Sequence, residues 1–169
     1  WMTRTNLFQS ADDNAFANTI ATDPGVKKKN VANMLSALQQ RGDSTVAAFK
    51  ALYNFNDGYF AAAEAEGKKP MVLLGTYVNL EQSFEDYAKL TMTYYGDDYA
   101  YYYKGHPNTP TGLWPSKQTQ LDTLGITDID SSVAAELILF FNPEVALSGY
   151  GSSTYNSASS DAGCGVFNM

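Results

Sequence analysis

A chain of 169 residues, 44% hydrophobic and 17% charged, has the material for one packed domain and not for two ordinary ones. Its formal charge of −7, from 11 Lys and Arg against 18 Asp and Glu, excludes the broad cationic face that a nucleic-acid partner requires and sets it against anionic membranes. One cysteine, Cys164, excludes an internal disulfide and a Cys-rich metal cage, and no apolar run reaches bilayer-spanning length.

No signal-peptide pattern opens the sequence. Trp1 is not a natural initiator, so a processed protein or an excised piece of a larger one is expected. The lean toward Tyr, Asn, Ser and Thr is common in proteins exposed outside the cytoplasm.

The first 44 residues read as a helical segment. "SADDNAFANTIA" offers Ser10 as a cap with acidic residues in the first turn. Lys27-Lys28-Lys29, after the turn "DPG", reads as a solvated helix start. "KNVANMLSALQQRG" sets Val31, Met34, Leu35 and Leu38 on one face and stops at Gly42. "DSTVAAFKALYN" predicts a helix burying Val46, Phe49, Leu52 and Tyr53, and the Ala-rich "DGYFAAAEAEG" one ending at Gly67.

From Pro70 the pattern changes. "PMVLLGTY" is a short continuous apolar run, as expected of a strand buried on both faces. Helical spacing follows at Leu80, Phe84, Tyr87, Leu90 and Tyr94, then a Tyr-rich strand, "DYAYYYK". "PSKQTQLDTLG" is a helix with Ser116 as cap and Gly125 as stop, "ITDI" a strand, "SSVAAELILFF" a helix capped by Ser131 or Ser132, and "EVALSGYG" a last strand. Strands alternating with helices at this spacing predict an α/β fold over residues 45–169: a doubly wound, Rossmann-like parallel sheet.

In such sheets ligands bind beyond the carboxyl ends of the strands. That rule selects Gly75-Thr76, Gly105-His106-Pro107 and the loop from Gly149 to Ser153. His106 is the sole histidine. A lone histidine is more often an ordinary surface or core residue, but here Gly105 allows close backbone approach and Pro107 rigidifies the exit. An imidazole at such a position suits proton donation to a leaving group. Without a second histidine or a carboxylate at ligand spacing, metal binding is not expected.

Ser152 and Ser153, after two glycines, either receive a phosphate on backbone N–H groups and hydroxyls or simply cap the next helix. It is no Walker loop, since the lysine is absent. Glu136, the one carboxylate in "VAAELILFF", must reach water or a ligand; the sharper reading places it on the hydroxyls of a ribose. "NDG" at 56–58 reads first as a turn, Asp97-Asp98 as a surface turn, and Trp114 as a packed loop anchor.

In their order and spacing, "YYYKGHPNTP", "LGITDIDSSVAAELILF" and "VALSGYGSSTYNS" resemble the carboxyl-terminal, nucleotide-binding half of bacterial sialyltransferases of the GT-B type, over about residues 45 to 157. That resemblance implies transfer of sialic acid from CMP-sialic acid to a glycan hydroxyl with inversion, and no obligatory metal or other cofactor. It further implies that His106 protonates or stabilises the departing CMP phosphate, Ser152 and Ser153 bind that phosphate, and Glu136 holds the ribose. Gly75 and Thr76 would line the cytidine pocket, with Lys104, Gly105 and Pro107 completing the nucleotide site.

The family's general base lies in an amino-terminal domain that this sequence does not contain. Asp57 sits too close to the His-Pro motif to take that role. The chain alone is therefore expected to be inactive and to partner with a missing amino-terminal domain of the same protein. The alternative is a non-catalytic, extracytoplasmic or lipoprotein-type protein that keeps the fold for binding or structure. An active enzyme would be bacterial and cytoplasmic or membrane-associated, because CMP-sugars are made inside cells; the alternative would sit on the cell surface.

Overall fold

The computed structural model describes residues 36–75, 81–107, 114–142 and 145–149, with short strands at 6–8, 27–29 and 163–166. Two of these strands, β1 (Asn6–Phe8) and β2 (Lys27–Lys29), pair in parallel by themselves. The lysine triplet is thus extended rather than a helix start, its main-chain groups matched to Asn6–Phe8 instead of to a following turn. The helix expected from Ser10 lies outside the described residues.

The helices are α1 (Asp43–Leu52), α2 (Ala61–Ala65), α3 (Glu81–Tyr95), α4 (Lys117–Leu124) and α5 (Ala135–Phe141). Five strands, β3 (Lys69–Leu74), β4 (Tyr99–Lys104), β5 (Thr127–Ile129), β6 (Ala146–Gly149) and β7 (Gly163–Val166), form one parallel sheet in the order β5-β4-β3-β6-β7. The chain steps outward from β3 to β5 and then returns to the other side of β3. That reversal sets a topological switch point between β3 and β6.

Side chains alternate across a strand, and the Tyr-rich run uses both faces. Tyr102 joins Val72, Leu74, Ile129 and Leu147 on one face, beneath Phe60 and Ala63 of the α2 region and Ile138 and Leu139 of α5. Tyr101 and Tyr103 join Met71, Leu73 and Ala146 on the other, beneath Phe84 and Ala88 of α3 and Leu121 of α4. Helices therefore cover both faces, as the doubly wound pattern requires. Each fully buried aliphatic side chain contributes roughly 1.5–3 kcal/mol. Tyr101 keeps its hydroxyl paired by donating to the Gly96 carbonyl at 2.8 Å, and burial pushes its pKa up to about 12.

Two helical faces differ from their periodicity. On α3 the buried line runs through Phe84, Ala88 and Thr91, while Leu90 and Tyr94 are exposed. Ala88, with no accessible surface at all, lets the helix approach the sheet at a place where a larger residue would hold it off. On α1 no residue is fully buried: Phe49 reaches the Phe140 and Phe141 rings at 6.2 and 6.4 Å, but Leu52 and Tyr53 stay exposed.

Helix ends follow local chemistry. α4 stops at Gly125, which takes the left-handed conformation (φ 68°), and Ile126 N–H closes the turn on the Leu121 carbonyl at 2.9 Å. Ser116 occupies the amino-cap position without a capping hydrogen bond from its side chain. α5 begins later than the serines suggest. Asp130 captures the Ser132 N–H at 2.8 Å and its carbonyl takes the Val133 N–H, so residues 130–133 form a turn and Ala134 becomes the cap.

Core and surface positions on this frame separate in a measurement. Ile138→Ala is expected to lower unfolding free energy by about 2–5 kcal/mol, and Leu52→Ala, at a position 77% exposed, by no more than about 0.5 kcal/mol. Urea titration followed by circular dichroism reads both.

Candidate functional site

The register makes the carboxyl ends of the central strands level. Leu74 lies opposite both Lys104 and Gly149, and Lys104 lies opposite Ile129. Gly75 extends the pairing one step, its N–H donating to the Lys104 carbonyl at 2.9 Å. Gly75, Gly105 and the turn at Asp130 therefore form a row along one sheet edge, beside the exit of β6. Ser148, at that exit, has no accessible surface and its hydroxyl is hydrogen-bonded to that of Tyr87, which ties α3 to β6 beneath the edge.

The structure brings Gly75, Lys104, Gly105, His106, Pro107 and Glu136 to this edge. Gly105 is buried, His106 half-buried and Pro107 exposed. Gly105 is not needed for a left-handed backbone, because its φ is not positive; it sits close against the Tyr103 side chain. A Cβ there would stand 3.3 Å from the Tyr103 ring, tighter than ordinary contact, so the ring would have to shift by a few tenths of an ångström. Glu136 occupies the first turn of α5, half-buried, where its carboxylate acts on the charge of Lys104. Thr76, Ser152 and Ser153 lie outside the described residues.

Lys104 is the most unusual group of the site. It is 2% exposed, and its ammonium donates to the Gly105 carbonyl at 2.6 Å and the Ser131 carbonyl at 3.0 Å. Burial pushes its pKa down to about 8; Glu136, Asp130 and Asp128 oppose that fall, and Lys117 adds to it. Lys117 is itself paired with Asp128 at 2.6 Å. Asp130 is held below its ordinary carboxylate range, chiefly by the backbone N–H of Ser132.

Sequence reasoning did not anticipate the Ser131 carbonyl, Asp128 or Lys117 as neighbours. The available signal was the apolar company of Lys104: a lysine ending a buried strand must find acceptors. Features set aside as structural behave so. Asn56 accepts the Gly58 N–H at 2.8 Å in a turn, and Asp57 pairs with Lys50 at the surface. Asp97 and Asp98 lie in an exposed turn, and Trp114 is buried against Phe84 and Tyr103, its indole N–H donating to Gln120 at 2.9 Å.

Among the described residues no group of three or more His, Cys, Asp or Glu is placed to hold a metal ion, and no helix is long and apolar enough to cross a membrane. A hollow of about 280 Å³ lies at the opposite edge, between Glu66, Lys68, Asp97, Tyr99 and Thr127, and shares no residue with the site.

A parallel sheet with this order and helices on both faces is a Rossmann-like α/β fold, the fold of one half of a GT-B domain. Two of the solved structures that resemble the chain are sialyltransferases. One is the GT-B domain of a sialyltransferase from Photobacterium damselae, with TM-score 0.59 and 15% identity over 88% of this chain and 40% of that one. The other is the 2,6-sialyltransferase of Photobacterium sp. JT-ISH-224, in ternary complex with the donor product CMP and the acceptor substrate lactose. It gives TM-score 0.62 and 16% identity over 83% of this chain and 30% of that one. The chain thus spans less than half the length of either. No protein-family description and no curated protein matches the sequence. The resemblance carried by the motifs is met in the fold.

The Lys104 charge has a testable effect on stability. Its folded pKa, about 8, lies below the ordinary lysine value of 10.5. Between those values the unfolded chain holds a proton that the folded protein has released, so stability rises with pH across that window. The difference in urea midpoint between wild type and Lys104→Met is expected to move in favour of wild type from pH 8 to 10, and a pH-independent difference would contradict the buried charge.

Proposed function

We propose that this chain is the CMP-sugar-binding half of a sialyltransferase-like glycosyltransferase. The observation that carries the reading is the convergence of Gly75, the Lys104–Pro107 turn and Glu136 on the carboxyl edge of a parallel sheet. That convergence occurs in a fold shared with a sialyltransferase that holds CMP.

The chemistry follows from where charge develops. As the bond between the sugar's anomeric carbon and the phosphate oxygen breaks, negative charge accumulates on the CMP phosphate. A donor held against that oxygen lowers the barrier because its interaction strengthens as the bond lengthens. His106 takes this role, Ser152 and Ser153 bind the same phosphate, and Glu136 accepts from the ribose hydroxyls. Gly75 and Thr76 leave room for the cytidine. The acceptor glycan and the base that deprotonates it belong to a second domain, so this half binds nucleotide without turning it over.

Calorimetric titration of CMP into the chain tests the reading. Saturable binding is expected, weakened about tenfold by Glu136→Gln, the loss of one charge-assisted hydrogen-bonding partner. It is also expected to weaken in a Ser152/Ser153 double alanine variant. If Glu136 holds the ribose, 2′-deoxy-CMP binds more weakly than CMP to wild type, and the difference narrows in Glu136→Gln, whose amide oxygen accepts without the charge. No binding at millimolar CMP by the folded chain would overturn the proposal for this half alone.

A further inference from the structure

We infer that Lys104 is a positioning residue whose ammonium clasps the Gly105 and Ser131 carbonyls, locking the His106 turn to the loop that leads into Glu136. The inference rests on the CMP reading for its effect on ligand, but the clasp itself stands on geometry alone. Three segments distant in sequence meet at this one residue. Its carbonyl receives the Gly75 N–H from the exit of β3, and its ammonium reaches forward one residue to Gly105 and across to Ser131. Gly105 precedes His106 directly. Ser131 belongs to the Asp130 turn that sets the start of α5, and Glu136 stands in the first turn of that helix.

Fold stability does not account for a cation in this place. At neutral pH burial opposes the charged form, and the surrounding acids offset only part of that cost. An apolar residue such as Met would fill the volume without it. What the ammonium supplies is two charge-assisted bonds to carbonyls that belong to different loops. A side chain 2% exposed and turned onto main-chain oxygens acts on a ligand through those loops rather than by touching it.

The charged groups that bear on the ammonium are Glu136 on α5, Asp130 in its turn, Asp128 on β5 and Lys117 on α4. Lys117 is held by Asp128. Between pH 7 and 9.5 the clasp therefore changes through Lys104 itself, losing the charge that strengthens both bonds.

The test has two arms, both in a Cys164→Ser background so that no thiol titrates in the same range. Without nucleotide, NMR follows the amides of Gly105, His106 and Ser131. In the protein with Lys104 intact these signals are expected to titrate together with one midpoint near pH 8, and Lys104→Met abolishes the shared titration. With CMP, affinity is expected to fall several-fold between pH 7 and 9.5. Lys104→Met is about tenfold weaker at pH 7 and flat with pH, and Lys104→Arg, whose charge does not titrate, recovers part of the affinity and is also flat.

Independent midpoints for the two loops, or no titration near pH 8, would overturn the clasp whatever CMP does. Equal CMP affinity in wild type and Lys104→Met would overturn its effect on the site. Shared titration in a protein that binds no CMP would uphold the clasp and remove the nucleotide reading instead. The wild-type pH series decides the matter even where a variant fails to fold.

Discussion

The register that sets Leu74 level with both Lys104 and Gly149 is the constraint on which the rest depends. Parallel strands can be paired at many offsets, and a shift of one residue would exchange the two faces of β4, moving Tyr102 to the side of Tyr101 and Tyr103. The buried tyrosines therefore fix the offset by packing, Tyr102 edge-on to Phe60 and Tyr103 edge-on to Phe84. Once the offset is fixed, the loops leaving β3, β4 and β6 begin at one height. The edge where they gather is a product of core packing, with no element dedicated to it.

Much of this was legible in the sequence because the signals were strong and local. "PMVLL" and "AYYY" are too apolar to be anything but interior, and Gly125 ends α4 as its position promises. Other features depended on partners that a single sequence does not display. Leu52 and Leu90 have helical spacing yet face outward, because α1 reaches Phe140 and Phe141 through Phe49 and because Ala88, not Leu90, defines the line of closest approach for α3. Ser131 and Ser132 look like caps, but Asp130 one residue earlier wins the Ser132 N–H and delays the helix to Ala135.

The site divides in the same way. The rule for parallel sheets selects the carboxyl ends of the strands, and Gly75, Gly105, His106 and Pro107 lie there, with Glu136 in the first turn of the helix that follows β5. The internal wiring did not follow. Lys104 is a lysine in a motif with a histidine, and its type suggests a direct contact with an anion. Its ammonium instead faces two main-chain carbonyls, one of them in a loop far along the chain. Gly105 is similar: its type suggests backbone freedom, whereas its φ is not positive and it lies close against the Tyr103 ring.

The strand order also governs assembly. β3, β4 and β5 are contiguous in the chain with their crossover helices between them, so their contacts are comparatively short-range and close early. β6 must return past all of them to reach the free side of β3, pairing Met71 with Ala146. A chain emerging from the ribosome therefore presents the His106 turn and Glu136 before β6 has docked, with one edge of β3 still unpaired. Docking of β6 on that edge makes β3 an interior strand and passes the open edge outward to the short β7, so the apolar run of β3 stays exposed for as long as the carboxyl edge of the sheet is incomplete.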